Sequence, residues 1–228
     1  MKKILTLIII FIGLFCLTSC ESNEKLEAPL KELENLNYTF DVEVVSSSIS
    51  KNKDGEINTD NNSYKIYTEV NSDKMYCIET KNSESTYYYV YIKREKLEPY
   101  IEEDGYWLYV SESFAKAVTY NRLIYTDYSA FKKDIRGIWV GDVNKIYDHI
   151  KVFFKDEIES SESYGYDLDI NLKKYNVIVE NNQVKMIDIE YLIVINIDGK
   201  TIKGTSKLSF VFSNIGNTEV TVPERFRY

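Results

Sequence analysis

Apolar and polar residues alternate along most of the chain, a pattern typical of β-strands with one buried face. Apolar residues occupy every second position from Tyr38 to Val44, and again for eleven residues from Ile187 to Ile197. Further strand patterns occur at 64–70, 74–80, 85–94, 106–111, 175–179 and 208–212. The sequence therefore predicts a domain built mainly from strands.

Short turn signals between these strands predict hairpins and hence an antiparallel sheet. Asn181-Asn182 and Asp198-Gly199 are such signals, and the polar stretch 46–63 is a further candidate turn. Residues 50–61 resemble a calcium-binding loop in part, but Asn61 stands where the bidentate Glu belongs, which favours a turn. Residues 102–105 favour a solvated turn over a metal site. The phase of alternation changes after Met186, which predicts a β-bulge near 186–187.

The middle of the chain, from Glu112 to Ile158, has the period of about 3.6 that is typical of helices. One predicted helix carries Phe114, Ala117, Val118 and Asn121 on one face. A second extends from a cap at Asp127 to Gly137. The third begins at the N-cap Asp142, and a loop at 159–166 follows it. Its apolar stripe contains Val143, Ile146, Tyr147, Ile150, Phe153 and Phe154, and His149 lies on its polar side.

These elements predict an α+β fold, because the inserted helices must bury their apolar stripes on the sheet. We expect a curved antiparallel β-sheet, a half-barrel, whose concave face is covered by the helical block. A short helix at 29–36 should precede the first strand, with Pro29 as its first residue.

The N-terminus carries a targeting signal: a cationic head at Lys2 and Lys3, then an apolar run from Ile4 to Leu17. The run is shorter than the roughly 20 residues that span a bilayer, as in a secretory signal peptide. Leu17-Thr18-Ser19-Cys20 resembles the lipobox of bacterial lipoproteins. The resemblance implies cleavage before Cys20 and acyl chains on its thiol. The alternatives are an ordinary signal peptide and a retained signal anchor.

The expected organisation is a cleaved signal peptide at 1–19, a lipidated cysteine and tether at 20–28, and one domain at 29–228. Cleavage removes two lysines and no acids, which leaves 26 basic and 36 acidic residues and a net charge of −10. This charge argues against a nucleic-acid partner and against electrostatic docking on anionic lipid. Membrane attachment, on the extracytoplasmic face, should therefore depend on the acyl chains.

The domain also resembles a known family. The evidence is the lipobox, the short first helix, the strand after Asp104-Gly105 and the ending from Leu208 to Pro223. Together they resemble the half-barrel of bacterial lipoprotein-carrier proteins and the related lipid-binding envelope lipoproteins of mycobacteria. The resemblance implies an apolar cavity for acyl chains between the sheet and its helices, and a lipid or other hydrophobic ligand.

The predicted function is therefore non-catalytic binding or carriage of such a ligand by a membrane-anchored lipoprotein. The aromatic and aliphatic residues expected to line the site are Tyr87, Tyr89, Tyr91, Trp107, Phe114, Ile146, Ile150, Phe153, Ile193 and Ile195. The alternative is an envelope interaction or structural lipoprotein with a filled core and a protein partner. No cofactor or metal is expected. The chain offers few residues for nucleophilic or metal-dependent catalysis, because it has one histidine and Cys77 is expected to be a buried hydrophobic residue.

Overall fold

The structure, a computed structural model, describes residues 24–51, 57–93, 96–111, 115–197 and 199–226. Within these ranges eleven strands form one open antiparallel sheet in the order β6-β5-β4-β3-β2-β1-β11-β10-β9-β8-β7. The strands are β1 (Tyr38–Lys51), β2 (Ile57–Val70), β3 (Lys74–Lys81), β4 (Glu84–Lys93), β5 (Lys96–Glu103), β6 (Tyr106–Tyr109), β7 (Phe131–Lys133), β8 (Trp139–Gly141), β9 (Asp167–Glu180), β10 (Gln183–Ile197) and β11 (Lys200–Ser213).

A few helices accompany the sheet. The α-helices are α1 (Glu24–Glu34), α2 (Val143–Phe153) and α3 (Lys155–Ser163), and short 3-10 helices lie at Lys116–Leu123, Tyr128–Ala130 and Glu224–Phe226. None of the helices in the described ranges has both the length and the hydropathy that crossing a bilayer requires.

One face of the sheet holds the core. Phe40 of β1 pairs with Phe212 of β11, and Ile187 of β10 pairs with Phe210. Because partners across a ladder point to the same side, these side chains share a face. All four are buried, and the buried side chains of β2, β3 and β9 follow the same registers. We call this side the core face and the opposite side the second face.

The helices cover the core face. Ile146 and Ile150 of α2 are fully buried, α2 and α3 both contact β9, and α1 contacts β10. The 3-10 helix Lys116–Leu123 contacts β3. The predicted α+β class, an antiparallel sheet with helices inserted between two sets of strands, is confirmed.

Two of the predicted turns and the predicted bulge are confirmed. Asn181 and Asn182 both have positive φ, as a two-residue hairpin requires. Asp104 and Gly105 do the same, and the Gly105 N–H donates to Glu102 Oε1 at 2.7 Å, so this acidic stretch is a turn. The pairing of β9 with β10 shifts between Val184 and Met186, which confirms the predicted bulge.

The predicted helix from Asp127 to Gly137 is wrong. Asp127 does cap a turn at Ser129, but that turn has only three residues. The chain then forms the hairpin of β7 and β8, which extends the sheet through the pairing of Trp139 with Val177. The hairpin is favoured over the predicted helix because it buries Phe131 and Trp139 on the sheet. Ile135 is left exposed at its tip.

Other boundaries also differ from the sequence prediction. Helix α1 begins at Glu24 because Leu26 lies on the same buried face as Leu30 and Leu33, so Pro29 is internal and the tether is shorter. The predicted loop at 159–166 is mostly α3, and most of the polar stretch 46–63 belongs to β1 and β2.

The C-terminal segment, residues 214–226, crosses the second face of the sheet. The Thr218 N–H donates to Asn37 Oδ1 at 2.9 Å, and the Thr221 N–H donates to Glu69 Oε2 at 2.6 Å. Phe226 then stacks on Tyr89 with 4.6 Å between ring centroids. The second face is therefore covered at this end by the chain itself.

Phe210 should be among the residues on which folding depends most. We expect Phe210→Ala to lower the free energy of unfolding by about 3–5 kcal/mol, because it opens a cavity in the core face. Urea denaturation with linear extrapolation measures this loss. The control is Val45→Ala on the second face, where a side chain that is 46% exposed should change stability by about 0.5 kcal/mol or less. Equal losses in the two variants would contradict the assignment of the faces.

Candidate functional site

A cleft of about 610 Å³ opens between the 3-10 helix Lys116–Leu123 and the helices α2 and α3. We call it the helical cleft. One wall comes from the 3-10 helix and the residue after it, and the other walls come from α2 and α3. Its lining residues are Thr119, Arg122, Ile124, His149, Val152, Phe153, Lys155, Asp156, Glu157 and Ser160.

The position of α2 determines which of its side chains face the cleft. Asp142 caps its first turn by accepting a hydrogen bond from the Asn144 N–H at 3.0 Å, as predicted. Ile146 and Ile150 are directed into the core, where they are fully buried. His149 and Phe153 lie at the adjoining helical positions and therefore reach the cleft.

Tyr175 on β9 fixes the opposite wall. Its hydroxyl donates to the Leu123 carbonyl at 3.1 Å and accepts from the Tyr125 N–H at 2.7 Å. These two bonds hold the segment after the 3-10 helix against the core face of the sheet. Tyr175 is fully buried, and burial raises the pKa of its hydroxyl, which therefore stays protonated and able to donate.

Below Phe153, aromatic side chains connect the cleft to the sheet. The Phe153 ring lies 5.7 Å from that of Tyr120 and 4.8 Å from that of Phe154, whose ring is 5.0 Å from that of Tyr191. The hydroxyl groups of Tyr120 and Tyr64 are hydrogen-bonded to each other. Of these rings, that of Phe153 lines the cleft, and the others pack behind it.

His149 is more enclosed than predicted. It is half-buried in the wall of the cleft, with its ring 5.2 Å from that of Tyr125. Its Nε2 atom is buried and has no hydrogen-bond partner within the described ranges. Burial lowers the pKa of His149, and the backbone carbonyls of Arg122 and Ile124 oppose this shift in part. The imidazole is therefore neutral at pH 7.

The described residues contain no cluster of three or more His, Cys, Asp or Glu side chains that could hold a metal ion. Cys77 is fully buried, and burial raises the pKa of its thiol to about 12. A thiol in this environment stays protonated and out of reach of a substrate. Residues 52–56, at the centre of the stretch that resembles a calcium-binding loop, lie outside the described residues.

The sequence-predicted site residues do not meet at one place. Phe153 lines the helical cleft, whereas Ile146 and Ile150 are core residues beneath it. Ile193 and Ile195 line a separate cavity of about 190 Å³ beside Gly204. Phe114 and Cys20 lie outside the described residues.

The other four predicted residues lie on the second face, on the opposite side of the sheet from α2 and α3. Tyr87, Tyr89 and Tyr91 alternate with Tyr88 and Val90, which belong to the core. The Trp107 ring is 5.7 Å from that of Phe226, which also stacks on Tyr89. The C-terminal segment thus covers part of this aromatic surface.

Sequence patterns gave no signal for several residues of the cleft. Lys155, Asp156 and Glu157 begin a helix whose sequence has only a weak apolar stripe, and Thr119 and Arg122 belong to a 3-10 helix. Only the folded chain brings these two segments together. The apolar stripe of α2, which includes Phe153, was the one sequence pattern that pointed to the cleft.

No protein-family model matches the chain, and no curated protein matches it. Solved structures show weak similarity to the chain, and two of them are described here. One is a DUF1329 family protein from Desulfovibrio piger, with 12% identity, a TM-score of 0.33, and coverage of 92% of this chain and 97% of that protein. The other is the ywiB protein from Bacillus subtilis, with 9% identity, a TM-score of 0.25, and coverage of 79% and 96%. Similarity this weak carries no information about function, and the resemblance to lipoprotein carriers stays a prediction.

The buried His149 should make stability depend on pH. Its pKa in the folded state is below the ordinary value of 6.5, so between these two values the unfolded chain binds more protons. The free energy of unfolding should therefore fall as the pH falls below about 6.5. Urea denaturation at about pH 7.5 and about pH 5.5 should show a smaller loss for His149→Gln than for the unchanged protein. An equal loss of unfolding free energy in the variant and the unchanged protein would contradict the burial of the His149 ring.

Proposed function

We propose that the protein is a membrane-anchored lipoprotein that binds a lipid or other hydrophobic ligand, without catalysis, in the helical cleft. The observation that supports this most is the cleft itself. Its volume of about 610 Å³ falls within the range of roughly 300–1,000 Å³ common for small-molecule sites.

The apolar side of the cleft supplies the binding free energy in this proposal. Phe153, Ile124 and Val152 line it, and the Val152 side chain is 71% exposed. Covering such surface with an acyl chain or a ring contributes about 25 cal/mol per Å².

The polar side of the cleft sets the class of ligand. Arg122 and Lys155 lie on it together with Asp156 and Glu157. Charges of both signs beside an apolar wall suit an amphipathic molecule with a polar head. The absence of catalysis in the proposal is supported by the buried thiol of Cys77.

The cellular location in the proposal is derived from the sequence. The apolar run and the residues Leu17 to Cys20 favour export, cleavage and acylation of Cys20. Two acyl chains hold a protein stably on a bilayer, whereas one binds only marginally. The domain would then face the extracytoplasmic side.

The second candidate is an envelope interaction protein with a filled core. It is favoured by the direct packing of α2 on β9, which leaves Ile146 and Ile150 fully buried. An acyl cavity between this helix and the sheet, as in the lipoprotein carriers, is not supported. A ligand would instead bind beside α2, in the helical cleft.

Val152→Lys tests ligand binding in the cleft. We expect the unchanged protein to retain a lipid through gentle purification, visible by native mass spectrometry and after extraction with organic solvent. Val152→Lys should reduce the bound fraction by about tenfold, because it places a charge on the apolar wall.

Ile49→Lys is the matched control, because Ile49 is 54% exposed on the second face and remote from the cleft. It should leave the bound fraction unchanged. If neither the unchanged protein nor the control carries or takes up phospholipid or glycolipid, the interaction protein becomes the better proposal. Equal loss in both variants would place binding elsewhere.

Cys20→Ala tests the anchor. The unchanged protein should incorporate labelled palmitate and sediment with membranes, whereas the variant should do neither, because it lacks the thiol that is acylated. Label incorporation and membrane fractionation measure this difference. Membrane-bound, unlabelled protein from the unchanged gene would instead favour a retained signal anchor.

A further inference from the structure

The tip of the β7–β8 hairpin and Lys25, near the start of α1, line one groove. Lys25, Lys133, Arg136 and Trp139 line a shared groove of about 420 Å³, which also contains Glu180. We call the hairpin tip, residues 132–137, together with Lys25 the basic tip.

The tip presents one apolar side chain to solvent. Ile135 is fully exposed. Asp134 Oδ1 accepts hydrogen bonds from the N–H groups of Arg136 and Ile138, both at 2.9 Å, and Gly137 completes the turn with positive φ. Because the turn is fixed from both sides, Ile135 is held outwards, and packing within the domain does not account for it.

The tip also carries excess positive charge in an acidic protein. The full chain has a net charge of −8, yet the basic tip contains Lys25, Lys132, Lys133 and Arg136 against the single acid Asp134. Asp134 pairs with Arg136 at 2.8 Å, and the Lys133 ammonium lies over the Trp139 ring at 5.6 Å. Glu180 in the groove, and Glu24 and Glu27 on either side of Lys25 in the sequence, offset part of this charge, but the hairpin tip itself keeps an excess of two positive charges.

Chain length connects this surface to the proposed anchor. Lys25 is five positions after Cys20, and a fully extended chain of that length spans at most about 18 Å. Acyl chains on Cys20 would therefore keep Lys25 close to the bilayer whatever the path of the tether. The groove that Lys25 lines would therefore also lie close to the bilayer.

We propose that the basic tip docks on anionic lipid of the bilayer that holds the anchor, with Ile135 entering the headgroup region. The inference is based on the proposed lipidation of Cys20. Lysine and arginine side chains are attracted to an anionic surface over a distance of about a Debye length, and an apolar residue among them adds contact with the acyl boundary. Docking orients the domain, because the rest of its surface is acidic and is repelled.

A thiol-reactive, environment-sensitive dye on Ile135→Cys tests this docking. The full acylated protein is reconstituted in phosphatidylcholine vesicles with and without phosphatidylglycerol. Cys77 is fully buried and Cys20 is acylated, so the dye reports on residue 135. We expect a fluorescence increase of about twofold or more with phosphatidylglycerol, because water leaves the surroundings of the dye.

The matched control is Thr201→Cys, which carries the dye at the other end of the sheet. Thr201 is exposed beside the β10–β11 turn, and the fifteen residues of β10 span about 50 Å. Its fluorescence should not change. Lys132→Gln with Arg136→Gln in the Ile135→Cys protein should abolish the increase, as should raising the salt from about 0.05 M to about 0.5 M.

The outcomes separate this docking from the anchor. Intact mass and flotation with the vesicles show whether Cys20 is acylated and holds the protein. If it is acylated and floats, and the dye at residue 135 gives no increase, the docking proposal is overturned while the anchor stands. An increase that persists without phosphatidylglycerol or after the charge substitutions would also overturn it. A protein without acyl chains would instead refute the anchor.

Discussion

The burial of one face of a long antiparallel sheet is the constraint on which the structure depends. Side chains alternate across a strand, so a shift of one residue would transfer a whole set of apolar groups to the other face. Strand β9 shows how the chain meets this constraint. Ile170 and Leu172 are buried at even positions, whereas Tyr175 and Val177 are buried at odd positions. A pairing irregularity between them, opposite Glu190 and Tyr191, restores the core face.

The helices and the cleft follow from that face. Helix α2 lies on β9 through Ile146 and Ile150, and the backbone then leaves the helix at Phe154 before α3 begins. This placement directs Phe153 to the side, towards the 3-10 helix that Tyr175 holds in place. The cleft is therefore the space that remains between two helical segments, each fixed separately to the same sheet.

The large aromatic content serves the fold more than any single site. On the core face, Tyr38, Phe40 and Phe212 form a cluster with ring centroids about 6 Å apart. On the second face, Tyr89 stacks against Phe226 of the C-terminal segment. Paired rings add attraction beyond the area they bury, so these contacts stabilise the domain. Only some of the aromatic side chains are therefore free of such packing and able to contact a ligand.

The sequence by itself determined the local elements with strong periodicity and defined ends. The strands β1 and β10, the paired asparagines of the β9–β10 turn and the Asp142 cap of α2 all follow from side-chain period and backbone preference. The predicted targeting signal is likewise argued from the sequence alone. These features depend on neighbours within a few residues, which is why a linear pattern contains them.

Only the tertiary structure decided what depends on distant partners. The segment from Phe131 to Gly141 has a helical period, yet it becomes a hairpin because the edge of β9 offers hydrogen bonds and a place for Trp139. Tyr87 and Tyr91 fall on the second face because register, and not composition, assigns faces. The helical cleft and the basic tip join segments that are far apart in sequence. Packing between elements created both, and no local pattern carries that information.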